Sequence, residues 1–400
     1  MTHIIFDLDD TLVNTSRLRP YMGTRAGREH VVQNILYLNT ELCHPALEEL
    51  VDVCDKFGDT ISIVTNSPQD SARAVLNKHR ILPNARVYGN AHKPSSTYLE
   101  IAVQDSGVPK EETIVIGDSA IDILAAHGAE IASIGAAWGY SSQEQLELAE
   151  PQEIVDDPAL LLDAITRFEE GELEYEPRSN PEDFSFLPVS EFDTPNPDFS
   201  HAFLDIYQPW SGGSQVFTDF SSRVLRFKSA KGFSLEEIKN NACDQYFAGG
   251  SLRRGHVYKN VLVNFIVQMR GLLEKMGLDG NVLFVAAPNS FPEFCYKTDI
   301  NQLFLHNVVK DHPVHAISRE RVLSRVFPKQ EAHILGARSG HGHYRTIGLR
   351  NNELASYDSA VLFDDVFTSG TQISGLAKIL RYFDFSGDFY AVTLGKTRAE

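Results

Sequence analysis

Short apolar runs recur along the chain at Ile4-Ile5-Phe6, Ile61-Ser62-Ile63-Val64, Thr113-Ile114-Val115-Ile116, Val282-Leu283-Phe284-Val285, Ala360-Val361-Leu362-Phe363 and 389–394. Each is too short and too rich in β-branched residues for a helix, and reads as a buried strand. A further strand is expected at 314–317. Between these runs the apolar positions change to helical spacing. Helices are expected around 27–36, over 44–57 up to Gly58, and at 156–167, 261–275, 300–309 and 373–383. Strands alternating with helices imply an α/β fold of two doubly wound, Rossmann-like parallel sheets.

The pattern breaks once. Residues 169–177 are an acidic run ending at Pro177, and Pro, Asn and Asp stay frequent to about Ser200. Such a run reads as a solvated linker. Residues 201–249 mix aromatics with turn formers and carry strand candidates at 215–220 and 223–227, either as a hood or as the start of the second domain. The expected organisation is therefore 1–168, linker 169–200, 201–249 unassigned, and 250–400.

Composition narrows the function classes. With 42% apolar and 22% charged residues in a 400-residue chain, a globular protein of two or three domains is expected. A net charge of −18 weighs against unaided nucleic-acid binding, which needs a basic footprint. No apolar run approaches a membrane span, and the first strand begins too early for a secretory leader. Cys43, Cys54, Cys243 and Cys295 lie far apart without a CxxC spacing, which suits thiols in a reducing cytoplasm.

Chemistry-bearing residues cluster at the strand exits. The first strand runs into Asp7-Leu8-Asp9-Asp10-Thr11, with Asp7 and Asp9 spaced two apart and so on one face. Thr65 follows the second strand, Lys93 stands in the loop Asn90-Ala91-His92-Lys93-Pro94, and Gly117-Asp118-Ser119-Ala120-Ile121-Asp122 follows the strand at 113–117. These four groups, in this order, resemble the haloacid-dehalogenase (HAD) superfamily of phosphohydrolases over residues 1–168. Ala136-Ala137-Trp138-Gly139-Tyr140 is similar to the phosphoglycolate-phosphatase-like branch.

The resemblance implies that Asp7 attacks phosphorus and forms an aspartyl-phosphate. Mg²⁺ would be held by Asp7, the Asp9 carbonyl and Asp118, with Asp122 orienting the metal shell or a water. Thr65 and Lys93 would hold the phosphoryl oxygens, and Asp9 would serve as acid and then base. The gaps between the four groups leave room for only a minimal cap. A partner domain, a second subunit in a homodimer, or a large substrate is then expected to close the site.

In the second half, Asp364-Asp365-Val366-Phe367-Thr368-Ser369-Gly370-Thr371-Gln372 leads from a strand into a helix. It resembles the phosphoribosyl-pyrophosphate (PRPP) loop of type I phosphoribosyltransferases, a likeness spanning about 250–400. The resemblance implies ribose hydroxyls on Asp364 and Asp365, and a 5′-phosphate cradled by the amides and hydroxyls of Thr368, Ser369, Gly370 and Thr371. Phe367 and Gln372 depart from the commoner choices. Pro288-Asn289-Ser290 falls where the pyrophosphate loop belongs, and reads equally as a plain turn. Arg338, His341, His343 and Arg345 belong either to a loop closing on pyrophosphate or to a solvated tip. The His341/His343 pair lacks the further ligands of a metal site.

The expected protein is thus a bifunctional enzyme acting on small phosphorylated metabolites. A Mg²⁺-dependent phosphatase is joined to a transferase that moves phosphoribose from PRPP to an unknown nucleobase-like acceptor. The two steps in sequence would yield a nucleoside. The alternative is a phosphatase regulated by a non-catalytic PRPP- or nucleotide-sensing domain.

Overall fold

The computed structural model describes residues 2–47, 60–179, 184–208, 218–310, 322–328, 341–350 and 354–397, with residues 341 and 342 described by backbone alone. The chain divides into two compact units, residues 1–180 with 245–254, and residues 181–244 with 255–400. The strand expected at 314–317, Arg338, and the helix expected over 44–57 beyond residue 47 lie outside the described residues.

The first unit is built on six parallel strands: β1 (His3–Phe6), β2 (Thr60–Val64), β3 (Arg86–Tyr88), β4 (Thr113–Gly117), β5 (Ala132–Ala136) and β6 (Glu153–Val155). Their order across the sheet is β3-β2-β1-β4-β5-β6. Central β1 is buried at every residue, so alternation carries Ile4 and Phe6 into one apolar cluster and Ile5 into another. Burying each such side chain contributes about 1.5–3 kcal/mol. Helices α1 (Arg25–Asn34), α2 (Gln69–His79), α3 (Thr97–Ser106), α4 (Ala120–Ala129) and α5 (Leu161–Glu169) complete the unit.

The second unit has a four-stranded parallel sheet. Its strands β7 (Ser200–Tyr207), β10 (Val282–Ala286), β11 (Ser359–Phe367) and β12 (Asp388–Thr397) lie in the order β7-β12-β11-β10. Strands β8 (Cys243–Ala248) and β9 (Ser251–Val257) form a separate pair. Its longer described helices are α6 (Asp219–Ser229), α7 (Tyr258–Met276), α8 (Ile300–Val309) and α9 (Thr371–Tyr382). Alternate residues of β11 feed two clusters, Val361 and Phe363 on one face and Ala360 and Leu362 on the other. A small antiparallel sheet of Leu323–Arg325, Ile347–Arg350 and Phe184–Phe186 adjoins these elements.

Three expectations are corrected. Residues 169–200 are not a free linker: Leu173 and Tyr175 pack on the first unit's core, while Leu187 and Phe192 are buried in the second's. Their interleaved apolar side chains outweigh the charges around them. The strand expected at 223–227 is helix α6, capped by the Thr218 side chain and buried through Phe220, Val224 and Phe227. That i, i+4, i+7 spacing is helical, and it prevails over the local β-propensity. Finally, 201–249 is not one hood. It supplies most of edge strand β7, α6 and strand β8, and residues 245–254 of the β8–β9 pair group with the first unit. There the Phe247 ring stacks on His30 at 4.4 Å.

Candidate active sites

At the carboxyl end of β1 the chain turns out of the sheet, and the Asp7 amide donates to Ile116 O at 2.9 Å. This places Asp7 beside the exit of β4, which delivers Asp118. Asp7, Asp118 and Asp122 are buried with carboxylate oxygens within 4.8 Å of one another. Lys93 is buried among them. Its ammonium donates to Asp7 Oδ1 at 2.6 Å, to Val64 O at 2.9 Å and to Asp122 Oδ1. Burial works against the charged lysine, yet Asp122 and Asp7 outweigh it and raise its pKa above the ordinary value.

The remaining oxygens differ in their partners. Asp118 Oδ1 accepts from the Thr11 hydroxyl at 2.9 Å and Oδ2 from the Tyr140 amide at 2.6 Å. Asp122 Oδ2 accepts from the Ser119 amide at the start of α4. With Oδ1 on Lys93, Asp122 orients that lysine and caps a helix. Among the described residues, Asp7 Oδ2 has a long 3.4 Å contact from Thr11 as its hydrogen bond, the weakest hold in the cluster. Thr65 and Asp9 form a separate pair. The Thr65 hydroxyl donates to Asp9 Oδ2 at 2.7 Å, and the Thr15 hydroxyl to Asp9 Oδ1 at 2.7 Å. Thr65 therefore has its proton committed to Asp9 rather than free for a phosphoryl oxygen.

Thr11, Thr15 and the Tyr140 amide were not singled out in the sequence, although Thr11 stands inside the first motif. Gly139 is a further requirement. A Cβ there would lie 2.2 Å from Asp118 Oδ2, so only glycine lets the 139–140 backbone close on that carboxylate.

The electrostatics ask for a cation. Burial pushes Asp7 well above the carboxylate range, although Lys93 pulls the other way, and burial together with Asp122 raises Asp118 to about 7. Three carboxylates around one lysine, all offering hard oxygen donors, fit Mg²⁺. Asp7 and Asp118 are the residues that would hold it.

The HAD-hydrolase-like family model matches residues 90–161, which contain Lys93, Asp118 and Asp122. Residues 90–161 of the first unit are thus similar to HAD-like hydrolases. Phosphoglycolate phosphatase from Vibrio vulnificus is 32% identical over 127 residues, covering 30% of this chain and 56% of that protein. The corresponding enzyme of Agrobacterium fabrum is 31% identical over 127 residues, covering 30% and 54%. The chain thus spans about half the length of the curated relatives it matches. A hydrolase of known structure from Pseudomonas syringae is 21% identical, covering 42% of this chain and 99% of its own, and its TM-score of 0.36 carries no weight. Within the first unit the four sequence groups form two adjoining clusters, Asp7–Lys93–Asp118–Asp122 and Asp9–Thr65.

A cavity of about 500 Å³ lies in the second unit. It is lined by residues 364–373, by the turn Pro288-Asn289-Ser290, and by Asn301 and His343. Three side chains grip the carbonyls of that turn region. Asn301 Nδ2 donates to Ala287 O at 3.0 Å, Gln372 Nε2 to Pro288 O at 2.9 Å, and Arg325 Nε to Asn289 O at 2.9 Å. Gln372, the residue out of step with the common pattern, thus ties the 364–371 segment to the turn. Gly370 caps α9 at φ +73°, a left-handed conformation suited to glycine. The Ser369 and Thr371 hydroxyls pair at 2.7 Å.

Arg345 does not join this cavity. It is exposed, one residue past the short helix His341–Tyr344, with its guanidinium over the Phe192 ring at 5.7 Å. Tyr207, Lys228 and Lys231 line the cavity instead, from the segment that the sequence left unassigned. Partial burial and Asp365 raise Asp364 to about 7, with Lys228 and Arg325 opposing.

Proposed function

We propose that the HAD-like domain hydrolyses phosphate monoesters of small metabolites, with Asp7 as nucleophile. The observation that carries this reading is the unequal holding of Asp7: Oδ1 is pinned by the Lys93 ammonium, while Oδ2 is left with a 3.4 Å contact. Lys93 fixes the carboxylate's orientation and offsets its charge against an approaching phosphate. Oδ2 then attacks phosphorus, the ester bond breaks, and Asp9 is the group placed to relay a proton to the leaving oxygen. A water deprotonated by Asp9 next attacks the acyl phosphate, releasing inorganic phosphate and restoring Asp7. Asp7 and Asp118 would hold Mg²⁺, which would supply positive charge opposite the phosphoryl oxygens. Thr15 and Thr65 hold Asp9 in place for both proton transfers.

The names of the relatives make 2-phosphoglycolate the first ester to try, with nucleoside 5′-monophosphates beside it. Phosphate release should need Mg²⁺ and vanish in Asp7→Asn. Hydrolysis surviving that change would rule the nucleophile out.

The second unit is read as a PRPP-binding phosphoribosyltransferase. Support comes from one observation: residues 364–371 and the 288–290 turn line a single cavity beyond adjacent parallel strands β11 and β10. That is where open α/β sheets bind ligands. In the transfer, the ribose C1–pyrophosphate bond breaks and a bond from an acceptor nitrogen to C1 forms. Calorimetry with PRPP and Mg²⁺ tests the binding. If the two activities run in sequence, Asp7→Asn protein given PRPP and a competent acceptor base accumulates a nucleotide, whereas the wild type yields nucleoside and phosphate. PRPP binding without pyrophosphate release from any base would favour the regulatory alternative.

A further inference from the structure

Helix α6 brings a charge to the second cavity that no sequence motif announced. Lys228, in its last turn, places Nζ 3.2 Å from Asp365 Oδ1. The placement follows from the core. Phe227 is buried edge-on against Phe363 at 6.4 Å, and Lys228 and Asp364 are the next residues along their chains. The aromatic contact that docks α6 on β11 therefore sets the ammonium beside the carboxylate pair. The helix is anchored further by Phe220 and Val224, so Lys228 approaches from a rigid element.

Asp365 raises the pKa of Asp364, and the nearby Lys228 opposes it. A carboxyl group accepts hydrogen bonds more strongly when it is ionised. We infer that Lys228 is a positioning residue of this cavity, fixing Asp365 through their ion pair and favouring the ionised form of Asp364 beside it, so that both accept from the vicinal hydroxyls of a ribose 5-phosphate group. The inference rests on the reading of the second unit as a PRPP site, and it adds a residue from a segment with no motif. The charged and titratable groups facing the pair are Lys228 on α6, Tyr207 on β7 and Arg325, with Lys231 and His343 elsewhere on the cavity wall. Lys231 lies over the Tyr296 ring at 4.6 Å, which leaves Lys228 as the cation in ion-pair contact with Asp365 among the described residues. Its pKa is raised: burial opposes the charge, but Asp365 and Asp364 outweigh it.

The test uses the full chain, ribose 5-phosphate as probe, and chelator in place of Mg²⁺, so that only the protein's own groups read the sugar. Calorimetric affinity is followed from about pH 6 to about pH 9 for wild type, Lys228→Met and Lys228→Arg, with thermal unfolding to show that each is folded. The ligand's own phosphate titration cancels between proteins. Wild-type binding should strengthen as pH rises through about 7, where Asp364 loses its proton. Lys228→Met should bind about tenfold more weakly near neutrality and recover at high pH, its profile moved up by about one pH unit, while Lys228→Arg keeps the wild-type profile. Unchanged affinity in Lys228→Met, or a loss equal at every pH, would overturn the inference. Failure of the wild type to bind both ribose 5-phosphate and PRPP would instead overturn the PRPP reading beneath it.

Discussion

The two sites hold their carboxylates in opposite ways. In the first unit, Asp7, Asp118 and Asp122 are buried around Lys93, whose ammonium donates to two of the acids and to a backbone carbonyl. In the second, Asp364 and Asp365 are half-buried at a cavity wall, and their lysine is 39% exposed. The first cluster packs its acids directly on one lysine and leaves their charge only partly offset. The second spreads its polar groups over the wall of a cavity of about 500 Å³. The difference matches the chemistry proposed for each. Attack on phosphorus needs one oxygen aimed within a fraction of an ångström, whereas gripping a sugar phosphate needs several acceptors and donors spread over a surface.

The strongest way to break this comparison is Asp7→Asn. Phosphate release should fall by at least about a thousandfold, since an amide is no nucleophile at phosphorus. Ribose 5-phosphate binding to the second unit should be unchanged, and a parallel loss would mean that the sites are not separate. The contrast in burial is tested by the two lysines. Lys93→Met leaves buried Asp7 and Asp122 without their cation, and should cost about 3–5 kcal/mol of stability in denaturant unfolding. Lys228→Met, half-exposed, should cost less than about 1 kcal/mol. Equal costs would erase the distinction.

Smaller effects sharpen it. Replacing Asp364 and Asp365 together by Asn should weaken PRPP binding roughly tenfold to a hundredfold, since charge-assisted bonds contribute about 1.5–3 kcal/mol each and do not add fully. Hydrolysis in the first unit should be unaffected, which an assay on the same preparation can check. The smallest effect is on stability against pH. Folded Asp118 keeps its proton to about pH 7, while the unfolded chain releases it near pH 4. The folded state thus binds more protons in between, and raising pH from about 4 to about 7 lowers the stability of metal-free protein. Asp118→Asn should remove part of that fall, a few degrees in Tm, and Mg²⁺ at neutral pH should offset it in the wild type. A Tm rising through that window equally in wild type and Asp118→Asn would show that the cluster is not short of a cation.

Much of the first site was legible because its residues follow strands. Asp7, Thr65 and Asp118 each come at the end of an apolar run, and parallel strands carry their ends to one edge of the sheet. The same logic located residues 364–371 after β11 and the 288–290 turn after β10. Arg345 stayed open between two readings because nothing in a loop's composition says which way it turns, and α6 was misread because its aromatics have high β-propensity while their spacing is helical.

By itself, then, the sequence determined two parallel-sheet architectures, the strand exits where carboxylates emerge, and the turn through Gly370 into α9. Those features depend on periods of 2 and 3.6 residues and on local backbone freedom, all written within a few positions. Only the tertiary structure decided that Asp122 serves Lys93, that Thr65 serves Asp9, and that Lys228 meets Asp365. Each of those pairs joins elements far apart in the chain. Their distances are set by how helices and strands pack, as when Phe227 against Phe363 brings α6 to the cavity, and local periodicity carries no record of that packing.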